Sequence, residues 1–442
     1  MKIIKNLRIF TMDDNNTFFE NGFIKVENGL IKEIGDAGKL TDKDLAEASV
    51  SDGNGQICIP GMITTHAHFY GEFARGMSLS EPIRNWQEML TRMWWKFDKK
   101  LDDEMTYYSA MMGLVDGLKY GTTTYYDHQA SAYATPLSLD IIEDAVRKMG
   151  ARAVLSYEVS DRDGLDHRNS GIEENVRFIK KVNSNGDDRV KALFGLHAGY
   201  SISQETLEMA AGYGKELDCG YHIHVAEDKA DVTESYRLYD MHVVERLYNA
   251  GIFNDKSIAA HGVNVTAEEW KLFAKSGITV ANNVQSNTNN AVGVCPVVNM
   301  MNDGVRVALG GDGYTYDMFT ELGFAIIMQR LRESDPRVFS GEQIRKFAFE
   351  NPGQLFKRIS GTEIVVLKEG AAADFVILNY IEPTPIDKNN VLSHMTSAFS
   401  GHVKDVYVKG EQVVKDGVTI FADEELIYAK CRENAKRLWN KL

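Results

Sequence analysis

Five residues in this chain have the types and spacing to hold a divalent metal ion beside a reacting carbon: His66, His68, His224, His261 and Asp312. His66 and His68 close an apolar run, residues 57 to 71, that is broken by Pro60-Gly61. Residues two apart on a strand share a face, so both imidazoles can reach one ion. His224 lies in the run 220 to 225, His261 directly follows 257 to 260, and Asp312 follows 306 to 309 across Gly310-Gly311. Three imidazoles, a carboxylate and an open position suit one Zn2+, or Fe2+, holding a water whose pKa is lowered towards neutrality. Glu227, three residues past His224, is placed to carry a proton from that water to a leaving nitrogen. Any one of these could be a packed or surface residue, and Asp312 between glycines could make a turn. Five of them, each at the end of a strand-like run, argue for a site.

The elements that must position them alternate. Residues 1 to 60 read as short β segments, Lys2 to Phe10, Phe23 to Glu27 and Leu30 to Ile34, with Asn28-Gly29 as a hairpin turn. From 61 to 361, short apolar runs alternate with helical stretches, among them Trp94 to Lys119, Leu137 to Lys148 and Gln204 to Glu216. About eight strands in such an alternation predict a closed (β/α)8 TIM-like barrel. Functional side chains then belong at the C-terminal strand ends. Residues 362 to 442 return to β segments, Glu363 to Leu367, Asp374 to Leu378, Val403 to Val408 and Gln412 to Val414, before a polar helix from Glu424. Both chain ends are expected to build one small β-sandwich beside the barrel.

Composition narrows the function. The 442 residues carry a net charge of −14, which repels nucleic acid and anionic membranes. Four cysteines, Cys58, Cys219, Cys295 and Cys431, stand far apart and suggest neither disulfides nor a thiolate zinc site. No signal-peptide pattern and no long apolar run is seen, so a cytoplasmic location is expected. Of the other histidines, His222 shares a strand with His224 and reads as a supporting or core residue. His167, His242, His394 and His402 read as surface or packing residues, and Trp94-Trp95 as core.

Taken together, these motifs resemble the amidohydrolase superfamily. Residues 60 to 68 look like its strand-one motif, His222 to Glu227 its strand-five motif, Ala260-His261-Gly262 strand six, and Leu309 to Gly313 strand eight, with Gly311 where Thr is usual. Within it the chain resembles the cytosine deaminase-like, or ATZ/TRZ, branch and its aminohydrolase group SsnA, through Phe69-Tyr70, Trp94-Trp95, Asp127-His128, Ser160-Asp161-Arg162 and Ser286 to Asn290. The resemblance implies that His66, His68, His224 and Asp312 bind the metal, that Glu227, His261 and Asp312 handle the water and its protons, and that His197 contacts substrate. His197 also stands where binuclear members carry a carboxylated lysine, which implies one metal. Asn282 replaces a pocket histidine found in relatives. Substrate contacts are therefore expected from His197, His128, Arg75, Arg162 and Asn282, the arginines clamping a carbonyl or carboxylate or else forming surface ion pairs.

The expected activity is hydrolytic deamination of a purine-like nitrogen heterocycle by metal-activated water. Opening of a purine or pyrimidine ring uses the same residues, and a non-catalytic amidohydrolase-like scaffold is the reading from another class. No Gly-x-Gly-x-x-Gly or phosphate loop is present. A homodimer or larger assembly is what the resemblance implies.

Overall fold

The computed structural model describes residues 1–79 and 81–442. The chain opens with β1 (Lys2–Phe10), β2 (Phe18–Glu27), β3 (Leu30–Asp36), β4 (Ser49–Asp52) and β5 (Ile57–Pro60). Eight parallel strands then form a ring: β6 (Met62–Ala67), β7 (Thr122–Gln129), β8 (Arg152–Tyr157) with the short β9 (Val190–Ala192) at its edge, β10 (Phe194–Ala198), β11 (Tyr221–Val225), β12 (Ile258–His261), β13 (Thr279–Asn282) and β14 (Arg306–Leu309). Single bridges Val159↔Leu196 and Ala67↔Asp312 join the two arcs, so the ring closes as the (β/α)8 barrel expected. The chain ends with β15 (Phe375–Leu378), β16 (Val403–Val408), β17 (Glu411–Lys415) and β18 (Val418–Thr419).

Strand composition explains the ring. The first five residues of β7, Thr122 to Tyr126, are β-branched or aromatic, and all eight of its residues are buried. The surrounding helices are delimited by local signals: Thr266 and Glu269 form a capping box at the start of Ala267–Ser276, and Gly277 ends that helix at φ 73°.

The outer strands form a nine-stranded sheet in which β5 sits between β1 and β15. Ile31 N donates to Ala371 O at 2.8 Å and Gly370 N to Ile31 O at 2.8 Å, so the sheet wraps back on itself. It encloses a small core of its own that includes Ile4, Leu7, Ile24, Phe375 and Tyr407. This is the sandwich-like unit made by both chain ends.

Three local expectations change. The run 57 to 71 is not one strand: β5 belongs to the outer sheet and β6 to the barrel, with Gly61 between. A Cβ at Gly61 would fall 2.4 Å from the Thr123 side chain, so only glycine lets the two strands pass there. The helix expected over Trp94 to Lys119 begins only at Asp103. Asp102 caps it by accepting from Met105 N at 3.0 Å, and a π-helical turn, Leu90–Trp94, lies upstream. Residues 363 to 367 pair in no ladder, because Val365 takes a left-handed φ of 57°.

Below the ring, at the start of β8, the fully buried Arg152 pairs with Asp374 and, at 3.1 Å, with Asp188. This contact ties the barrel to the outer sheet. Among the described residues no helix is long and apolar enough to cross a membrane.

Candidate metal centre and active site

His66 and His68 leave the end of β6, His224 lies on β11, and Asp312 follows β14; the ring brings them together. His68 Nε2 is 3.2 Å from His224 Nε2 and 3.2 Å from Asp312 Oδ1, and His66 Nε2 is 3.5 Å from Asp312 Oδ1. Hydrogen bonds at the opposite ring nitrogens fix the tautomers. His68 Nδ1 donates to His128 O at 2.7 Å, and His224 Nδ1 donates to His197 O at 2.8 Å. The Ser156 hydroxyl donates to Asp127 O, so its oxygen accepts from His222 Nδ1–H at 3.3 Å. His222 Nε2 is then free to accept from His66 Nδ1–H at 2.8 Å. In the neutral tautomers that these bonds set, all three metal-facing Nε2 atoms carry lone pairs free to ligate an ion. They converge with a carboxylate oxygen in a buried space, and His66 Nε2 has no partner. Such an arrangement is repulsive unless a cation fills it, and the donor set suits a divalent metal.

The electrostatics agree. Burial would raise the Asp312 carboxyl, but His66 and His68 outweigh it and hold it well below the usual carboxylate range. Burial lowers His66 to about 3. Burial also opposes charge on His68, yet Asp312 and Glu158 prevail and raise it to about 9. The field that draws a proton to His68 equally favours a metal ion, which would displace that proton.

Glu227 and His261 complete the opposite wall. Glu227 Oε2 lies 3.5 Å from His261 Nε2, which is 4.0 Å from Asp312 Oδ2. His261 Nδ1 donates to Asn287 Oδ1 at 2.8 Å, and Ser286 Oγ donates to Asp312 Oδ2. Burial raises the Glu227 carboxyl, with His261 pulling the other way. Ala226, His261 and Asp312 all take left-handed φ values of 49°, 77° and 57°, strain concentrated where the strands meet the cavity.

The cavity has a volume of about 590 Å³, with Tyr70, Trp86, Trp94, Trp95 and Tyr200 among its walls. Trp94 and Trp95 thus line the site rather than fill the core. Of the expected substrate contacts, His197, Arg75 and Arg162 line it, but both arginines are committed. Arg75 binds Asp116 at 2.8 Å and Glu72 at 2.6 Å, and Arg162 binds Asp98 and, at 3.1 Å, Asp163. His128 and Asn282 do not line it. His128 is fully buried below the metal site, stacked on His222 with ring centroids 4.3 Å apart. Its ring is one of four imidazoles, with those of His66, His68 and His224, that share a metal-sized cluster. Asn282 is buried in β13, its amide nitrogen without a partner.

Sequence reasoning missed Glu158, directly after β8. Its carboxylate lies 3.2 Å from His68 Nδ1 and 3.9 Å from His197 Nε2, and burial raises it to about 7. Its position past a strand end was the available signal. Ser286 and Asn287, on a short helix after β13, belong to a motif that carried the resemblance, but no role at the site was assigned to them.

Comparison with known proteins agrees with this geometry. The amidohydrolase family model matches residues 57–413. A 5'-deoxyadenosine deaminase of Methanocaldococcus jannaschii is 31% identical over 415 residues, 93% of this chain and 95% of the relative. A 5-methylthioadenosine/S-adenosylhomocysteine deaminase of Halothermothrix orenii is 29% identical, covering 99% of this chain and 100% of the relative. Among solved structures, an adenosine deaminase from Xanthomonas campestris with bound zinc superimposes with a TM-score of 0.88 at 20% identity, over 99% of this chain and 98% of that one. With the family match running through the barrel and into the returning outer strands, the chain belongs to the amidohydrolase family.

Proposed function

We propose that this protein is a zinc-dependent hydrolase that removes an amino group from a purine-like nitrogen heterocycle. The observation that carries the reading is the set of bare Nε2 atoms on His66, His68 and His224 facing Asp312, with Glu227 and His261 on the far side of the same aromatic cavity. His66, His68, His224 and Asp312 would hold the metal, which when bound lowers the pKa of a water and polarises it for attack on carbon.

The remaining steps belong to the chain. Asp312 accepts a proton from the water. His261 is held by Asn287 with Nε2 towards the cavity, and with a proton taken up at Nε2 it donates to the attacked carbon's oxygen and steadies the charge developing there. Glu227, whose burial favours its protonated form, delivers a proton to the departing nitrogen. The aromatic walls exclude water and stack against a planar ring. Related deaminases act on adenosine derivatives, which places purines first in the test.

The zinc-loaded protein is incubated with adenosine-type nucleosides, aminopurines, aminopyrimidines, triazines and reduced purines, following ammonia and product mass together. Deamination gives ammonia and a mass gain of about one unit, through exchange of an amino for a hydroxyl group. A gain of about eighteen units without ammonia, the addition of water, means ring opening and overturns the proposal. No turnover across the panel, with zinc retained, favours a scaffold role.

A further inference from the structure

Glu158 is a carboxylate almost wholly removed from water, and it lines the cavity without being used by the chemistry above. Its Oε1 has no hydrogen-bond partner. The nearby His68 Nδ1–H is committed to His128 O. Beside it stands a second acceptor. The Ser201 hydroxyl donates to Ala198 O at 3.0 Å, so Ser201 Oγ must accept from His197 Nδ1–H at 2.6 Å. His197 Nε2 is therefore a bare lone pair, 3.9 Å from Glu158 Oε2. Two acceptors line the cavity, and neither takes part in a hydrogen bond with a donor of the protein.

A second metal ion is a poor occupant for this pair. A Glu158 oxygen, a His197 nitrogen and a His224 nitrogen lie within 4.8 Å of one another. His224, however, has only one free nitrogen, and that one faces His68 and Asp312. Two ligands would remain, too few to hold an ion. An anionic substrate is disfavoured as well. Arg75 and Arg162 are the cavity's arginines, and each is already paired with two carboxylates.

We infer that Glu158, with His197, is a specificity-determining acceptor pair that recognises an N–H donor edge of the substrate ring next to the reacting carbon. The class this selects is an uncharged or cationic heterocycle carrying an amino group beside a ring N–H, as in a 2-amino-6-oxopurine. A 6-aminopurine offers only ring lone pairs at the corresponding position and leaves both acceptors unsatisfied, which costs affinity. This rests on the deaminase reading for its substrate chemistry, but not for its binding test.

The experiment compares guanine and guanosine with adenine and adenosine in zinc-loaded wild-type protein, Glu158→Gln and Glu158→Leu. Kd by calorimetry and kcat/KM by ammonia release are measured, with metal content determined for each protein. Wild type should favour the 2-amino-6-oxo compounds, and both variants should bring the preference ratio down by about 100-fold while keeping one zinc per chain. A ratio that stays the same in the variants, a wild-type preference for the 6-amino compounds, or loss of zinc on substitution of Glu158 would each overturn the inference. If no compound releases ammonia, the deaminase reading fails, and the Kd ratios still decide the role of Glu158.

Discussion

At its first residue, β8 buries the Arg152 guanidinium against Asp374 and Asp188; just past its last, the chain buries Glu158 with Oε1 unpartnered. The two ends lie a single strand apart and follow opposite rules. At the bottom of the barrel, burial tends to lower the arginine's pKa, but the carboxylates outweigh it and raise it, so the charge is retained and serves to join two structural units. At the top, polar groups are left short of partners, and in the proposed function the missing partners are the metal and the substrate. The barrel is held from below and left incomplete above.

Substitutions at the two ends should separate accordingly. Glu227→Gln should lower kcat by about 10³-fold in protein that keeps its zinc and its melting temperature, measured by ammonia release and calorimetry. Retained turnover would remove Glu227 from the proton path. At the other end, Asp374→Ala leaves the buried Arg152 guanidinium with Asp188 as its one remaining carboxylate and should cost about 3 kcal/mol in denaturant titrations. A cost below about 1 kcal/mol would break the comparison, since such values belong to exposed pairs.

Chelation of the metal should act only on the upper end. Restoring zinc at 100 times its Kd should return about 2.7 kcal/mol of stability, read as a rise in melting temperature. If chelation changes neither melting nor activity, the cluster of bare imidazole nitrogens is not a metal site.

Glu321 offers an intermediate case. It is fully buried with neutral partners, accepting from Gln285 Nε2 at 2.6 Å and Gln285 N at 3.2 Å, and burial raises its carboxyl from 4.5 to about 8. A folded-state value above the unfolded one means this stabilising contribution is full below about pH 4.5 and is lost as pH rises through about 8. Glu321→Gln should flatten the fall in stability across that window, measured by urea midpoints at several pH values. An unchanged slope would show that Glu321 is ionised when folded.

The barrel was legible because short apolar runs alternate with helical stretches along about 300 residues. The convergence of His66, His68, His224 and Asp312 was legible because packing alone seldom sets a histidine at the end of one strand after another. Less visible was anything defined by a partner distant in sequence. Arg75 and Arg162 have Glu72 and Asp163 close by in the chain, but only the fold adds Asp116 and Asp98 and so commits both guanidinium groups. Asn282 was marked by its neighbours in sequence, whereas strand geometry buries it away from the cavity. Glu158 satisfied the same strand-end rule that singled out the histidines. A lone Glu after Tyr157 is commonplace where a strand runs out to solvent, and only the convergence of His197 and His224 on it sets it apart.

The outer sheet also sets an order on biosynthesis. β5 is flanked by β1 and by β15, so its second neighbour emerges from the ribosome only after the entire barrel. Until then a nascent chain presents Ile57–Pro60 as an open strand edge, the kind of surface that recruits other strands. A protein released before β15 would carry that edge permanently, so premature termination within the barrel is expected to yield aggregates rather than a shortened enzyme.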